Sequence, residues 1–272
     1  MNSAKFDLSK IKFSWTDKRK KIKLPEMLTE ELAEDIGIHI GDGSMYLTGP
    51  NLKSYEMRYS GDSTEDKEHY INRIIPLKER LFNKQINGKI LNFRGNEYGF
   101  VICSKAIFYF YTKIIHIPSG TKTKIAEVPK MIMKSNKSIQ AAFIRGLSDT
   151  DFSLTFKRKS TKHNLNYYPM ITANFASRKL VDNLQKILKG LSFNVVILDG
   201  INKRYNKHYP THIININGKR NLELWMKIIG FNNPKHLTKY LVWKKFGFCP
   251  PRLSLKQRKQ ILTGNLDPYN FY

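Results

Sequence analysis

Two aspartates, Asp42 and Asp151, close two similar stretches of the chain. Asp42 lies in "LAEDIGIHIGDGSMY" (32–46), and Asp151 lies in "AAFIRGLSDTDFSLTF" (141–156). Both stretches predict a helix that ends at the aspartate and is followed by a strand. Carboxylates are ligands that Mg²⁺ prefers, and a bound divalent cation can activate water and stabilise a leaving oxygen in phosphodiester hydrolysis. The two aspartates therefore predict a metal-assisted hydrolytic site, provided that the fold brings them together.

The helix before each aspartate carries a small residue at every fourth position, which places these residues on one face. They are Ala33, Gly37 and Gly41 in the first stretch and Ala142, Gly146 and Thr150 in the second. Glycine inside a helix destabilises it by about 0.5–1 kcal/mol relative to alanine, but a face without side chains lets another helix approach closely. We expect the two helices to pack at backbone distance about a pseudo-twofold axis. Two ordinary amphipathic helices with polar caps would not explain why the pattern occurs twice.

The repeat extends well beyond these stretches. Each half predicts the order helix-strand-strand-helix-strand-strand-helix, which is typical of an α+β fold with an antiparallel sheet covered by helices. We expect two pseudo-symmetric repeats, over residues 28–125 and 126–250. A basic N-terminal arm (1–27) precedes them, and a basic C-terminal tail (251–272) follows.

The charge of the chain points to a polyanionic partner. The 272 residues include 47 Lys and Arg against 22 Asp and Glu, a formal net charge of +25. Such an excess favours nucleic acid over a membrane surface. Cys103 and Cys249 match no zinc or redox spacing, and apolar runs such as "IFYFY" (107–111) are too short to cross a bilayer. We expect no membrane association and a cytoplasmic, nucleoid-associated location, with an organelle as the alternative.

The paired motifs resemble those of the LAGLIDADG homing endonucleases, in the archaeal-type form with two motifs in one chain. They read "DIGIHIGDG" (35–43) and "FIRGLSDTD" (143–151). The segment 117–132 resembles the link that the family places before its second repeat, and 228–251 resembles a common ending. The resemblance implies a monomer that cuts both strands of a long double-stranded DNA target. It also implies Mg²⁺ as cofactor, with Mn²⁺ as a substitute, and sheets that form a saddle for DNA.

The resemblance further implies roles for individual residues. Asp42 and Asp151 are the expected metal ligands and catalytic acids, with the carbonyl groups of Gly41 and Thr150 completing the metal site. Lysines at matching or nearby positions, Lys105, Lys219 and Lys179, are candidates for neutralising charge in the transition state. Two other residues of the helices are interpreted from the sequence itself. His39 is assigned to packing or a side-chain hydrogen bond, and Asp149, which corresponds to Ile40 in the first repeat, is either structural or an accessory acid.

One position departs from the family pattern. Phe152 follows the second acid, where the family usually has glycine, as at Gly43. The residue after a helix often has a positive φ, which glycine accepts and phenylalanine resists. We therefore expect an altered turn at Asp151, which the substitution Phe152→Gly would relax.

The predicted strands alternate between apolar and polar residues, and the polar side is rich in Arg, Lys, Asn and Thr. Such side chains bond base edges in the major groove, while lysines bind phosphates. The candidate DNA contacts are Arg58, Asn92, Arg94, Ser153, Thr155, Lys157, Lys159, Thr172, Asn174, Asn215 and Asn217, together with Lys203 and Arg204 of a basic loop.

Two functions from different classes fit these features. The first is the metal-dependent endonuclease, which both aspartates favour. The second is a nucleic-acid-binding protein of the same scaffold with little or no catalysis, such as an intron maturase with intron RNA as its partner or a transcription regulator. Phe152 favours the second. An intein nuclease is less favoured, because the chain has a Met before its basic arm and no terminal His-Asn pair.

Overall fold

The computed structural model describes residues 5–52, 54–92, 94–120, 125–159, 164–204 and 207–272. The first half begins with helix α2 and builds one sheet, in the order β1-β2-β4-β3. Its elements are α2 (Glu30–Gly41), β1 (Gly43–Thr48), β2 (Ser54–Asp62), α3 (Lys67–His69), α4 (Ile75–Phe82), β3 (Lys89–Ile90), β4 (Glu97–Cys103) and α5 (Lys105–Tyr109). A π-helical turn joins α3 to α4 (Tyr70–Ile74), and another extends α5 (Phe110–Ile114).

The second half repeats this plan and builds a sheet in the order β5-β6-β8-β7. Its elements are α6 (Lys130–Met133), α7 (Lys137–Asp151), β5 (Phe152–Lys157), β6 (Tyr168–Phe175), α8 (Arg178–Gly190), β7 (Val196–Arg204), β8 (Lys207–Asn217) and α9 (Lys219–Ile228). Both sheets are antiparallel throughout. The α+β class and the two repeat-like halves predicted from the sequence are therefore confirmed.

Two central helices, α2 and α7, lie side by side between the halves. Each starts at a side-chain cap: Thr29 accepts from the backbone N–H of Leu32, and Asn136 accepts from that of Ile139. Their apolar residues enter the core that the two sheets cover, with Ile36 and Phe143 both fully buried. The sequence thus directs both helices into the centre, where they position whatever follows their last turns.

The segments outside the repeats are packed onto them. The N-terminal residues form α1 (Trp15–Arg19) and bury Ile11, Ile22 and Leu24. Asp17 accepts hydrogen bonds from the Ser104 hydroxyl (2.6 Å) and the Ala106 backbone N–H (3.1 Å) at the start of α5. Residues 5–27 of the segment expected to be a basic arm are therefore packed onto the first half, because Ile11, Ile22 and Leu24 are buried in the core.

The C-terminal residues cross back to the first half. Helix α10 (Pro234–Phe246) closes the second repeat, and α11 (Leu255–Leu262) follows it. The buried guanidinium of Arg258 pairs with Glu65, at 2.5 Å, and Lys259 pairs with Glu68, at 2.6 Å. The segment expected to be a tail thus ties the two halves together. Across the part of the chain that the structure describes, no helix is long and apolar enough to cross a membrane.

Candidate active site and nucleic-acid interface

The small residues of α2 and α7 face each other at backbone distance. A Cβ atom on Gly37 would lie 2.2 Å from the carbonyl oxygen of Phe143, and one on Gly146 would lie 2.0 Å from that of Glu34. A Cβ on Gly41 would lie 2.0 Å from the Thr150 hydroxyl. No side chain fits at either of the first two positions without moving a helix. This contact aligns the last turns of the two helices.

Asp42 and Asp151 consequently meet at the carboxyl ends of the two helices. A Cβ on Gly41, the residue before Asp42, would lie 3.4 Å from Cγ of Asp151. Asp42 is half-buried, whereas Asp151 is exposed. Burial raises the pKa of Asp42 to about 7, and the negative charge of Asp151 acts in the same direction. The carboxylates thus repel each other, and a bound cation would remove this repulsion.

Tyr70 holds the carboxylate of Asp42 in place. Its phenolic hydroxyl donates a 2.8 Å hydrogen bond to Oδ2 of Asp42, which opposes the rise in the pKa of that carboxyl group. Tyr70 is itself fully buried and lies in the π-helical turn between α3 and α4. A rigid donor of this kind fixes one oxygen of Asp42 and leaves the other oxygen for a further ligand.

A second acid and a lysine lie next to this pair. Asp66 forms a 2.8 Å ion pair with Lys235 and accepts a 2.7 Å hydrogen bond from the side-chain amide of Asn233. The charge of Lys235 lowers the pKa of Asp42, whereas that of Asp66 raises it. Lys235 stands in the first turn of α10, so the C-terminal segment brings a cation to the first half's aspartate. None of these three residues was predicted from the sequence as part of the site.

The other polar residues of the central helices are structural. His39 accepts or donates a 2.6 Å hydrogen bond with the Tyr59 hydroxyl and packs on Tyr111, which confirms the interpretation from the sequence. Asp149 is buried, accepts hydrogen bonds from the backbone N–H groups of Asn232 and Asn233, and so fixes the loop before α10. Burial raises the pKa of Asp149 to about 7.

The same arrangement of halves is found in solved structures. A variant of the homing endonuclease I-DmoI matches with a TM-score of 0.52 and 20% identity, over 74% of this chain and 95% of that one. I-DmoI in complex with DNA and Mn matches with a TM-score of 0.52 and 17% identity, over 74% and 96%. The chain has the LAGLIDADG endonuclease fold. These neighbours establish the fold alone, because their sequence identity is too low to carry a function over to this chain.

The curated relatives are much longer proteins with unrelated names. The chain is 33% identical to an A-type ATP synthase subunit of Pyrococcus abyssi over 46% of its length, and 24% identical to glutamine–fructose-6-phosphate aminotransferase of Methanocaldococcus jannaschii over 80%. It spans 11% and 18% of those relatives, respectively. No family model matches the chain. The activities that name those proteins therefore carry no function over to this chain.

The LAGLIDADG fold does not bring two of the candidate lysines to the aspartates. Lys105 follows Cys103, which pairs with Glu56, whereas Asp42 precedes Gly43, which pairs with Tyr59. Glu56 and Tyr59 are three residues apart along β2, so the start of α5 and the end of α2 are separated by about 10 Å along the strand direction. Lys105 instead lies over the rings of Tyr55 and Tyr109.

Lys219 stands at the corresponding far end of the second sheet. Lys219 comes just after Asn217, which pairs with Met170 of β6. Phe152, next to Asp151, pairs with Ala173, three residues further along the same strand. The ammonium group of Lys219 lies 3.8 Å from Glu223. Lys179 is in the first turn of α8 and pairs with Glu127 of the segment between the repeats.

The altered turn predicted at Asp151, next to Phe152, is wrong. The φ of Phe152 is −90°, an extended conformation that any residue adopts, so phenylalanine causes no strain there. Gly43 also needs its small size for space rather than for φ, because a Cβ would lie 2.6 Å from His39 Nδ1 and 2.8 Å from the Tyr59 ring. In the second half, Ser148 replaces His39 and Ala173 replaces Tyr59, which leaves room for the ring of Phe152.

A divalent cation fits the chemistry of the aspartate pair. Asp42 and Asp151 supply hard carboxylate oxygens, and the carbonyl groups of Gly41 and Thr150 stand in the last turns beside them. Within the described residues, no group of three or more His, Cys, Asp or Glu side chains could hold a metal ion. A pair of carboxylates suits Mg²⁺ or Mn²⁺, which are commonly held by one or two carboxylates plus substrate phosphates and water.

The open faces of the sheets carry many of the candidate DNA contacts. In the second sheet, Ser153, Thr172 and Asn215 share a row, opposite to the buried face of Leu154, Ile171 and Ile214. The predicted alternation in these strands is therefore confirmed. Thr155, Lys157, Asn174 and Asn217 lie on the same open face, and Lys159 follows the strand with its ammonium group over the Tyr168 ring.

The first sheet differs from the prediction at its edge. Arg58 lies on the open face and pairs with Glu97 at 2.8 Å. Asn92 and Arg94, expected on the polar side of a strand, lie in the turn before β4, because β3 ends at Ile90. Asn92 donates a hydrogen bond to Asn96 there. Lys203 and Arg204 belong to β7, but their side chains lie outside the described part of the chain.

Proposed function

We propose that this chain is a site-specific, divalent-metal-dependent endonuclease that hydrolyses both strands of a long double-stranded DNA target. The observation that carries the proposal is the meeting of Asp42 and Asp151 at the ends of two helices packed at backbone distance. From these ends β1 and β5 lead into two sheets with polar open faces. I-DmoI, which has the same fold, is a homing endonuclease that has been crystallised with DNA and Mn.

The two carboxylates would hold Mg²⁺ or Mn²⁺, which when bound lowers the pKa of a coordinated water and stabilises the leaving oxygen. Asp42 and Asp151 each serve one DNA strand. Tyr70 fixes the orientation of Asp42 through its 2.8 Å hydrogen bond. We assign Lys235, held beside Asp42 by its ion pair with Asp66, the role of neutralising charge that develops on the phosphate.

The formal charge of +25 and the polar open faces support a long duplex as the partner. Contacts to about ten phosphates would give a slope of roughly −9 in a plot of log affinity against log salt. We expect a monomer, because each central helix already has its partner within the chain. Sedimentation without DNA checks this expectation.

The experiment is a selection from a pool of duplexes with a randomised central segment. The pool is incubated with the protein in Mg²⁺, Mn²⁺ or EDTA, and the newly formed ends are sequenced. The proposal expects a shared sequence at the cut sites, cuts in both strands, and none in EDTA. If binding enriches a sequence from the pool but no cut appears in either metal, the chain is instead a binding protein on this scaffold.

A further inference from the structure

The edge of the second sheet exposes apolar side chains on the same face as its polar residues. Val196 and Leu198 of β7 are 50% and 51% exposed. Leu198 pairs with Ile213 of β8, which is half-buried. Directly paired side chains on one face lie about 5 Å apart, and residues two apart on a strand about 7 Å. The three residues thus form one continuous apolar edge patch.

The register places this patch on the open face. Val196 pairs with Asn215, and Asn215 pairs with Thr172, which belongs to the row of candidate base contacts. Ile213 pairs with Asn174, a second residue of that face. Polar groups that can read base edges therefore border the apolar edge patch on the side of the sheet centre.

The opposite face of β7 carries an ionic cluster around Asp199, between Ile197 and Ile201. Asp199 accepts a 2.7 Å hydrogen bond from His212 and pairs with Arg178 at 2.6 Å. The first sheet differs, since its edge strand β3 has Lys89 on the open face, paired with Gly99. Exposed aliphatic residues on the open face therefore distinguish β7 from β3, the corresponding edge strand of the first sheet.

We propose that Val196, Leu198 and Ile213 recognise the 5-methyl groups of thymines in the major groove of duplex DNA. The proposal rests on the proposed function, because it requires DNA on the open face. The thymine methyl is the apolar group exposed in the major groove, and apolar side chains contact it. A patch about 7 Å long spans two base-pair steps, since bases along a strand are 3.4 Å apart. The half-site read by the second sheet should therefore contain two or three neighbouring thymines.

The test uses the sequence that binding enriches from the randomised pool, resynthesised with deoxyuridine in place of thymidine in one half at a time. Loss of one contacted methyl group should weaken binding about fourfold, from about 0.8 kcal/mol per buried CH₂. Deoxyuridine in the half-site read by the second sheet should weaken binding of the duplex by the wild type. The variant Leu198→Asn should bind the thymidine and deoxyuridine duplexes with closer affinities.

Ile201→Asn provides the matched control. Ile201 is 66% exposed on the same strand but on the opposite face, so its variant should keep the full deoxyuridine penalty. The proposal is overturned if deoxyuridine has no effect on the wild type, or if Leu198→Asn keeps the full penalty. It is also overturned if the patch instead joins two copies of the chain, which sedimentation would show as a dimer lost in Leu198→Asn. Failure to enrich any sequence would contradict the proposed function itself.

Discussion

The α-carbon of Gly37 faces the carbonyl oxygen of Phe143 so closely that a Cβ atom would lie 2.2 Å from it. Gly146 stands in the same relation to Glu34, at 2.0 Å. Both obstacles are backbone atoms, so a side chain can be accepted only if the helices move apart. The position of Asp42 relative to Asp151 depends on this contact.

Gly37→Ala and Gly146→Ala should each destabilise the protein. Overpacking typically costs about 1–3 kcal/mol, and a clash with backbone lies at the upper end of that range. Urea denaturation measures the change in the free energy of unfolding. Gly190→Ala is the control, because nothing lies within 4 Å of a Cβ there and alanine favours the helix. Equal stabilities of the Gly37 and Gly190 variants would contradict the packing described.

Phe152→Gly should destabilise the protein rather than relax a turn. The ring is buried and packs between Phe175 and Trp225, with ring centroids 6.0 and 5.9 Å away, respectively. Truncating a buried phenylalanine costs about 3–5 kcal/mol. Thermal unfolding compares this variant with Ser153→Ala, on the open face, where the change should be small. A variant as stable as the wild type would mean that the ring contributes little to the core.

Two buried histidines should each reduce stability in acid, in the opposite direction to the raised pKa values of Asp42 and Asp149. Burial lowers the pKa of His69 to about 4 and that of His236 well below its usual value. Asp66, Glu34, Lys235 and Arg73 face His69, while Lys235, Lys239, His69 and Arg258 face His236. The folded state binds these protons less readily than the unfolded state does. The two histidines therefore leave the free energy of unfolding unchanged above pH 6.5 and lower it as pH falls towards 4.

Relative to His69→Gln, the wild type should therefore lose roughly 3 kcal/mol of unfolding free energy between pH 6.5 and 4. Urea denaturation across this range measures the difference, because Asp42 and Asp149 affect both proteins alike. His116→Asn, at an exposed position with positive φ that asparagine tolerates, should follow the wild type. Parallel pH profiles for the wild type and His69→Gln would contradict the account.

Lys235→Met should reduce DNA cleavage far more than Lys105→Met. Lys235 lies beside Asp42 through Asp66, whereas Lys105 is at the far end of the first sheet. Electrostatic groups at a reacting centre typically contribute a factor of about 10²–10³. Single-turnover cleavage of the selected duplex measures both variants. Equal losses would assign the two lysines to phosphate binding rather than to the reaction.

The sequence predicted the elements because its signals there are local. Periodicity, caps and the repeated small residues specify α2, α7 and the alternating strands, and a pair of glycines on one helix face is explained only by another backbone. The contact of Lys235 with Asp66 could not be predicted, because it depends on the path of α10 from the second half to the first. The fit of Phe152 was also missed, since it depends on the compensating Ser148 and Ala173 in three dimensions.

The packing of the segments before and after the repeats was even harder to predict from the sequence. Hydrophobic residues such as Ile11 and Leu24 are separated by many charges, so the N-terminal segment resembles a solvated arm in the sequence. The polar residues around Arg258 in the sequence predict an exposed side chain, yet Arg258 is buried against Glu65. Burial of a charge is decided by its partner, and the partner here lies in the other half of the chain.

The most direct test is cleavage of the selected duplex by the wild type, Asp42→Asn and Asp151→Asn in Mg²⁺ and in Mn²⁺, with binding measured alongside. An amide is a poorer ligand for these ions, so each variant should lose cleavage by orders of magnitude while binding stays equal to or stronger than that of the wild type. If either variant still cuts both strands at the wild-type rate, that aspartate is not a metal ligand and the account is wrong.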